Sequence, residues 1–282
     1  MLPKWVNRMI DPIELQQIRE NTKPLVLTTG EFIRTNFGKV RTGQADEKDL
    51  NSLVSFVDIE AEKRLVDGLS KLLPNANFLT EEETALFHKE SEISWIIDPL
   101  DGTTNFLSGV PVFAISIALK VGDSILFGVV YDVMRDLYYD AIRGQGGTVN
   151  GVSLKCTDTR KWEEAIVATG FPYKVYEADH PMFSILRDVI RTARGMRRLG
   201  SAALDLAYVA SGVFDVYYEA RLNPWDIAAG MLLVEEAGGR TSDFFDGQSS
   251  LANGTVIASN TYLHESIKEI ISDAGLTSEM LD

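Results

Sequence analysis

The spacing of apolar residues predicts two long helices in the first quarter of the chain. Apolar positions return every three or four residues from 11 to 36 and again from 53 to 73, as on the buried face of a helix. Pro24 is expected to end or restart the first helix, because its ring removes a backbone N–H donor. The polar stretch 38–52 carries glycines and charges of both signs. It predicts a loop, with a mobile lid as its candidate role.

The pattern changes to that of strands between residues 112 and 140. Runs of β-branched and aromatic residues are separated there by Gly122-Asp123 and by Arg135-Asp136, which predicts an antiparallel meander. The glycine-rich stretch 144–151 resembles a loose phosphate-binding loop, but no helical pattern follows it. Asn150-Gly151 predicts a hairpin turn there instead.

Strand-like and helix-like segments alternate after residue 155, as they do in α/β folds. The predicted elements are a strand in 164–171, helices over 181–193 and 201–211, a strand over 213–218, and a helix that begins near Asp226 and stops at Gly238-Gly239. The chain therefore predicts a mixed α and β fold that divides near residue 150. An N-terminal α+β half takes residues 1–150, and a C-terminal α/β half takes residues 151–282.

The composition limits the partners and the compartment of the protein. A net charge of −14, without a block rich in Lys or Arg, argues against a nucleic-acid partner. The single cysteine, Cys156, excludes an internal disulfide framework and fits a reducing compartment. No apolar stretch is long enough for a signal peptide or a membrane span. We therefore expect a cytoplasmic protein that does not act at a membrane.

The segment 95–109, WIIDPLDGTTNFLSG, concentrates groups suited to phosphate chemistry. Three apolar residues predict the end of a buried strand, Asp98 follows at once, and Asp101 comes after a proline that turns the chain. Gly102 lets a ligand approach the backbone, and free N–H groups at a helix start near Thr103 attract anions. Two carboxylates for a hard cation thus lie beside N–H donors for a phosphate.

Two further acidic positions extend this candidate site. Glu81, Glu82 and Glu83 follow the apolar pair Phe78-Leu79, and Asp226 stands at the start of an apolar helix. Alone, a run of acids is usually a solvated face, and a helix-start aspartate is usually an N-cap. Several carboxylates in one pocket, without a nearby His or Cys, favour Mg²⁺, Mn²⁺ or Ca²⁺. The acids together therefore predict a site for an oxygen-seeking divalent cation.

Other phosphatase chemistries fit the residues poorly. The three histidines lie outside any catalytic motif, and Cys156 is too close to Arg160 for a loop that wraps a phosphate above a thiolate. The string around Asp101 resembles the haloacid-dehalogenase-type phosphatases, whose first aspartate is a nucleophile. Here Pro99 stands at that position, and Asp98 would lie on the wrong face of the strand. We therefore reject a phosphoenzyme mechanism of that type.

Two motifs carry a resemblance to a known family. WIIDPLDGTTNF (residues 95–106) and NPWDIAAGMLLVEEAGG (residues 223–239) resemble, in order and spacing, the two signatures of the inositol monophosphatase family. GFPYK and RRLGSAALDLAYVASGVFDVYYE, between these motifs, are similar to its bacterial members. The resemblance spans residues 50–260 and implies a layered αβαβα sugar-phosphatase fold.

The resemblance also implies an activity. It points to a Mg²⁺-dependent phosphatase that hydrolyses inositol monophosphates, or a closely related small polyol phosphate, by direct attack of a metal-activated water. It implies two or three Mg²⁺ ions per site, with Mn²⁺ as a substitute, a homodimer and inhibition by lithium. Within the same fold, fructose 1,6-bisphosphate, histidinol phosphate, phosphoadenosine phosphate and NADP remain alternative substrates. A partner-binding role is the alternative of a different class.

The resemblance assigns roles to particular residues. It implies five metal ligands, one of them a backbone carbonyl: Glu81, Asp98, Leu100, Asp101 and Asp226. It implies catalytic roles for Glu81 and Thr103, which would orient the attacking water, and for Asp58, which would partner Thr103. The implied substrate-binding residues are Asp101, Gly102, Thr103, Arg197, Gly200, Ser201, Ala202, Glu219 and Asp226.

Some of these positions have ordinary alternatives. Asp58 fits an exposed helix acid, Glu219 fits the end of a strand, and Arg197 and Arg198 each fit a surface ion pair. The family's compact segment before the position of Asp58 is also altered here, because KDLNSLVSFVD displaces Lys48 and Asp49. The number of metal ions and the choice of substrate therefore stay open.

Overall fold

The computed structural model describes residues 10–40, 46–49, 52–82, 91–171, 177, 180–245 and 250–281. Eight α-helices lie within these residues: α1 (Pro12–Asn36), α2 (Phe56–Leu72), α3 (Thr103–Ser108), α4 (Pro181–Thr192), α5 (Ala202–Ala210), α6 (Pro224–Glu236), α7 (Ser250–Asn253) and α8 (His264–Asp273). Short 3₁₀ helices span Trp162–Glu164 and Ser278–Leu281. Within the described helices, none is long and apolar enough to cross a bilayer.

Fourteen strands accompany these helices in the described chain. They are β1 (Asp46–Asp49), β2 (Ser52–Val54), β3 (Asn77–Thr80), β4 (Ile93–Asp101), β5 (Ala114–Val121), β6 (Ser124–Asp132), β7 (Leu137–Ile142), β8 (Gly146–Val149), β9 (Val152–Ser153), β10 (Ile166–Thr169), β11 (Gly195–Arg197), β12 (Val216–Ala220), β13 (Arg240–Ser242) and β14 (Thr255–Ser259). Strands β3 to β9 follow one another in a seven-stranded sheet, and a five-stranded sheet has the order β11-β10-β12-β14-β13.

The apolar residues pack in three clusters that separate five layers. One cluster joins α1 and α2 to a face of the seven-stranded sheet. The second fills the space between the two sheets around α5 and α6. The third joins the outer face of the five-stranded sheet to α4 and α8. The order helix, sheet, helix, sheet, helix confirms the layered αβαβα prediction. The division near residue 150 stays a prediction, and the second cluster draws its side chains from both sides of it.

The meander and the hairpin predicted for the middle of the chain are confirmed. Strands β5, β6 and β7 pair antiparallel in sequence order, and β8 pairs antiparallel with β9. Asn150 and Gly151 join this last pair with φ values of 48° and 83°. Two consecutive positive φ angles are those of a type I′ turn, which Asn-Gly favours.

Two predictions in the N-terminal region are wrong. Pro24 lies inside α1 without ending it, because one lost hydrogen bond is offset by the burial of Leu15, Ile18 and Val26 on either side. The stretch 38–52 is more than a loop, since β1 lies in it and pairs antiparallel with β2, which also takes residues 53 and 54 from the predicted helix. Residues 41–45, 50 and 51 lie outside the described residues.

Strand β4 continues beyond its predicted end. Asp98 lies opposite Ser116 of β5, and Asp101 lies opposite Ala114. Between these two pairs, β4 has two residues where β5 has one. The extra residue forms a bulge at Pro99, where the missing N–H does not interrupt the ladder. The bulge keeps both acids in the strand and places them at its carboxyl end.

Two boundaries in the C-terminal half also differ from the prediction. Helix α6 begins at Pro224, and its N-cap is Asn223 rather than Asp226. Asp226 is the third residue of the helix, and its carboxylate accepts a hydrogen bond from the Asn223 N–H at 2.7 Å. Strand β12 runs from Val216 to Ala220 and therefore includes Glu219.

Candidate active site

Parallel pairing of β3 and β4 brings Glu81 beside the acids of β4. Thr80 lies opposite Ile97 in the register of the two strands, and the Glu81 N–H donates to the Ile97 carbonyl at 3.3 Å. Parallel strands end at the same edge of a sheet. Glu81, the residue after Thr80, therefore lies at the same level of the sheet as Asp98, the residue after Ile97.

Helix α6 adds Asp226 to the same place. The Ser116 hydroxyl, on the residue opposite Asp98, donates to the Trp225 carbonyl at 3.0 Å. This bond attaches the first turn of α6 to the sheet. Asp226 therefore approaches Asp98 although they are separated by more than a hundred residues in the sequence.

The electrostatics show that these acids face one another. Burial raises the pKa of Asp98 well above its usual range, and the charges of Glu81, Asp101 and Asp226 raise it further. Burial also raises the pKa of Asp226, with added repulsion from Asp101 and Glu81. Negative charges that repel in a buried pocket require a cation or protons to be stable.

The donor chemistry fits a hard divalent cation. Asp98 and Asp101 are 2% and 9% exposed, and their neighbours are oxygen donors without thiol or imidazole, the set that Mg²⁺ and Mn²⁺ prefer. Among the described residues, no three acidic, His or Cys side chains stand close enough to form a complete ligand set. The fit therefore rests on the type, burial and mutual repulsion of the carboxylates.

Asp101 is held by the start of helix α5. One of its oxygens, Oδ2, accepts hydrogen bonds from the Ser201 hydroxyl at 2.5 Å and from the Ala203 N–H at 2.8 Å. Burial raises the pKa of Asp101 to about 6, although these hydrogen bonds and the charge of Arg198 oppose the shift. Ser201 and Ala203 thereby hold Oδ2 of Asp101, and neither of them contacts Oδ1 of the same carboxylate. Ala202 is the first residue of the same helix.

A hydrogen-bonded chain joins Thr103 to Asp58. The Thr103 hydroxyl lies 2.7 Å from Asp58 Oδ1 and 3.0 Å from the Leu100 carbonyl. Asp58 Oδ2 accepts from both the N–H and the hydroxyl of Ser55, at 2.8 and 2.5 Å. Asp58 is 1% exposed, so the alternative of an exposed helix acid is wrong. Burial raises the pKa of Asp58, and its hydrogen bonds from Ser55 and Thr103 oppose this.

Gly102 places the start of α3 against the neighbouring loop. Its φ is 98°, and a Cβ there would lie 3.0 Å from the Val112 carbonyl and 3.2 Å from the Gly200 carbonyl. A side chain would therefore be strained and crowded. Asn105, on α3, donates to the Leu199 carbonyl at 2.8 Å and holds the Gly200 loop in place.

Glu219 lies in β12, and it interacts electrostatically with Asp101 and Asp226. Its carboxylate accepts a hydrogen bond from the Tyr217 hydroxyl at 2.7 Å. Burial raises the pKa of Glu219 to about 7, while the Tyr217 bond and the Arg198 charge lower it. Asp205 is buried nearby, and one of its oxygens has no hydrogen-bond partner.

Of the two arginines in this region, Arg198 is the one that acts on the site. Its charge lowers the pKa of Asp101, Asp205 and Glu219. Arg197 is exposed and donates to the Met196 carbonyl at 2.9 Å. A substrate contact by Arg197 stays a prediction, and the structure adds Arg198 as a second candidate.

Gly170 makes room for Glu219, and we expect Gly170→Ala to move it. An alanine Cβ at this position would lie 2.0 Å from the Glu219 carboxylate. The flexible side chain must then turn away and lose its Tyr217 bond. A lost hydrogen bond to a charged group predicts a KM for a polyol phosphate raised about tenfold with little change in kcat. Steady-state kinetics measures both values.

Gly195→Ala is the matched control, because it lies in the adjacent strand β11. A Cβ at Gly195 has Arg197 Nη1 at 3.3 Å as its nearest neighbour, a contact that this exposed side chain can relieve. The control is expected to keep the wild-type KM where Arg198, rather than Arg197, is the arginine that contacts the substrate. A Gly170→Ala variant with an unchanged KM would show that Glu219 does not contact the substrate.

The sequence reasoning missed the buried partners of the site. Glu62, Ser116 and Asp205 are 0%, 1% and 1% exposed, and none was proposed as a functional residue. The sequence feature that could have identified Glu62 is its position four residues after Asp58, because residues four apart lie on the same face of a helix. Of the acidic run, Glu81 faces Asp98, the Glu82 N–H donates to Glu62, and Glu83 lies outside the described residues.

Comparisons with known proteins agree with this architecture. The model of the inositol monophosphatase family matches residues 14–276. Inositol-1-monophosphatase of Mesorhizobium japonicum is 41% identical over 87% of this chain and 92% of its own length. Nus factor SuhB of Haemophilus influenzae is 40% identical over 86% of this chain and 90% of its own length. A solved IMPase structure from Thermotoga maritima superposes with a TM-score of 0.82 at 30% identity, and covers 94% of this chain and 99% of that one.

These similarities extend over both sheets and every segment of the candidate site. A layered αβαβα fold with clustered acids at the end of a bulged strand defines the sugar-phosphatase class of folds. Within it, the chain belongs to the inositol monophosphatase family.

Proposed function

We propose that the protein is a Mg²⁺-dependent phosphatase that hydrolyses a phosphate monoester of a small polyol, with an inositol monophosphate as the leading substrate. One observation carries the proposal: beside the start of α3, the charges of Glu81, Asp101 and Asp226 raise the pKa of the buried Asp98, and the charges of Asp101 and Glu81 raise the pKa of Asp226. Such an arrangement is costly for a folded protein unless a cation binds to it.

The divalent cations supply charge neutralisation at the phosphate and activation of a water molecule. The proposed ligands are Glu81, Asp98, the Leu100 carbonyl, Asp101 and Asp226. Two or three ions per site, and Mn²⁺ as a substitute, belong to the proposal.

The chain's own groups orient the other reactants. The N–H groups of Gly102 and Thr103 are proposed to bind the phosphate, because free N–H groups at a helix start favour an anion. When its proton is donated to Asp58, Thr103 Oγ1 keeps lone pairs that accept a hydrogen bond from the attacking water. Glu219 is proposed to accept a hydrogen bond from a polyol hydroxyl.

The loop before α5 and the first residue of this helix are proposed to form the rest of the pocket. Gly200, Ser201 and Ala202 line it in the proposal, with Arg197 or Arg198 as the cation nearest to a bound phosphate ester. An arginine there would attract an anionic substrate to a chain whose net charge is −14.

Phosphate release from a panel of monoesters, with and without Mg²⁺, tests the proposal. The panel holds inositol 1-phosphate, fructose 1,6-bisphosphate, histidinol phosphate, NADP and phosphoadenosine phosphate. We expect Mg²⁺-dependent release with the highest kcat/KM for inositol 1-phosphate. Preference for another member would keep the site and change the substrate. No release with any member would contradict the enzymatic proposal.

A partner-binding role is a second candidate, because similar proteins are named Nus factor SuhB. The sequence predicts a small substrate and a second copy of the chain as partners, with a partner-binding role as the alternative. Cells that carry Asp101→Asn in place of the wild-type gene can separate the two roles. A variant without phosphatase activity that still performs the cellular task would favour binding. Loss of both would favour catalysis.

We also propose that the protein is a homodimer and that it is located in the cytoplasm. A homodimer is what the family resemblance implies, and light scattering of the purified protein would measure its mass directly. A mass of 31.2 kDa, that of one chain, would contradict the dimer. The buried single cysteine agrees with the proposed cytoplasmic location.

A further inference from the structure

We propose that Glu62 is the positioning residue for Glu81, and that its buried carboxylate sets the affinity of the site for a divalent cation. The inference rests on the metal-dependent function proposed above and assigns a role to a residue that the motifs leave out. Glu62 is proposed to act through the turn after β3, without contacting the cation.

The contacts of Glu62 lie on both sides of Glu81. Glu62 Oε1 accepts a hydrogen bond from the Thr80 hydroxyl at 2.9 Å, and Oε2 accepts one from the Glu82 N–H at 2.8 Å. The Glu81 N–H itself is bonded to the Ile97 carbonyl. Three consecutive residues are therefore held, two of them by one carboxylate, and the direction of the Glu81 side chain is set by this turn.

The burial of Glu62 shows that the carboxylate has a specific role. The residue is 0% exposed, in a helix whose other inward positions include Leu65 and Leu69. A buried carboxylate is costly compared with an apolar side chain of similar size. Packing alone favours leucine at this position, whereas an acid supplies the two acceptors that the turn uses.

Helix α2 thereby holds two parts of the site at once. Asp58 binds Thr103, and Glu62, four residues later, binds the turn that carries Glu81. Residues four apart lie on one face of a helix, and α2 packs against β4. The helix fixes the distance between the proposed phosphate end of the site and its proposed first metal ligand.

Glu62→Leu and Glu62→Gln separate positioning from packing. The leucine fills the space but removes both acceptors. The glutamine keeps both bonds, because its amide oxygen accepts from the Glu82 N–H and its amide nitrogen donates to Thr80 Oγ1. With Mn²⁺ as the probe in titration calorimetry, we expect Glu62→Leu to raise the Kd at least tenfold. Glu62→Gln is expected to stay within about threefold of wild type.

Two further variants keep the test valid if Glu62→Leu fails to fold. Thr80→Val removes one of the two bonds at a position 5% exposed, and is expected to weaken Mn²⁺ binding about threefold. Leu69→Ala, on the same helix, creates a cavity and lowers the unfolding temperature. It is expected to leave the Mn²⁺ affinity of the folded protein unchanged.

The outcomes distinguish this inference from the proposed function. Wild-type Mn²⁺ affinity in Glu62→Leu or, where that variant does not fold, in Thr80→Val overturns the inference and leaves the phosphatase proposal intact. Equal weakening in Glu62→Leu and Leu69→Ala also overturns it, because stability alone would then explain the loss. Wild-type protein that neither binds Mn²⁺ nor releases phosphate overturns both.

Discussion

Asp101→Asn is expected to lower Mg²⁺-dependent phosphate release by about a hundredfold or more, although the variant folds normally. Asp101 Oδ2 accepts the bonds from Ser201 and Ala203. An asparagine keeps these bonds with its amide oxygen and places its NH₂ group where Oδ1 was. A hydrogen-bond donor then replaces the oxygen that is proposed to bind the cation. Rates measured over a range of Mg²⁺ concentrations check this expectation.

Thermal unfolding without metal provides the second readout for this variant. Removing a buried negative charge next to Asp98 and Asp226 relieves repulsion, so the unfolding temperature is expected to stay the same or rise. Asp226→Asn should behave alike, since an amide oxygen can still accept from the Asn223 N–H. Asp188→Asn, at a side chain that is 45% exposed and pairs with Arg187, is the control. Wild-type turnover of Asp101→Asn at low Mg²⁺ would contradict the metal assignment.

The local elements could be predicted from the sequence because their signals are local. Helix spacing predicted α4 and α5 to within one or two residues, and Asn150-Gly151 predicted its turn. The prediction for Pro24 was wrong because the low helix propensity of proline indicated a helix boundary. The packing of the 25-residue helix α1 outweighs that propensity. Local sequence patterns do not show how much tertiary packing stabilises a helix.

The geometry of the candidate site was less accessible to sequence reasoning. The motif around Asp98 could be found, but the bulge that keeps Asp101 in β4 follows from pairing with β5. The burial of Asp58 depends on Thr103, which lies 45 positions away. Glu62 and Gly170 matter through partners that no spacing rule connects to them. Motifs thus predicted the chemistry, and the supporting contacts required the fold.

Thr103→Val is expected to lower kcat about a hundredfold while KM stays within about threefold of the wild-type value. Valine has the shape of threonine without its hydroxyl, so the proposed orientation of the attacking water is lost. The backbone N–H groups of Gly102 and Thr103, which are proposed to bind phosphate, remain. Steady-state kinetics with inositol 1-phosphate gives both constants, and Thr103→Ser should restore most of the turnover. An unchanged kcat with a raised KM would remove the proposed role.

Asp58→Asn is expected to lower kcat by less than Thr103→Val, because it reverses the hydrogen bond between the two side chains but leaves the Thr103 hydroxyl in place. The asparagine oxygen is kept by the two donors of Ser55, so its NH₂ group faces Thr103 and donates to Oγ1. The Thr103 proton then turns to the Leu100 carbonyl, already 3.0 Å away, so Oγ1 has one lone pair left to accept from the water instead of two. Since Asp58 acts through the Thr103 hydroxyl, the double variant should be no slower than Thr103→Val alone. Additive losses would show that Asp58 and Thr103 act independently.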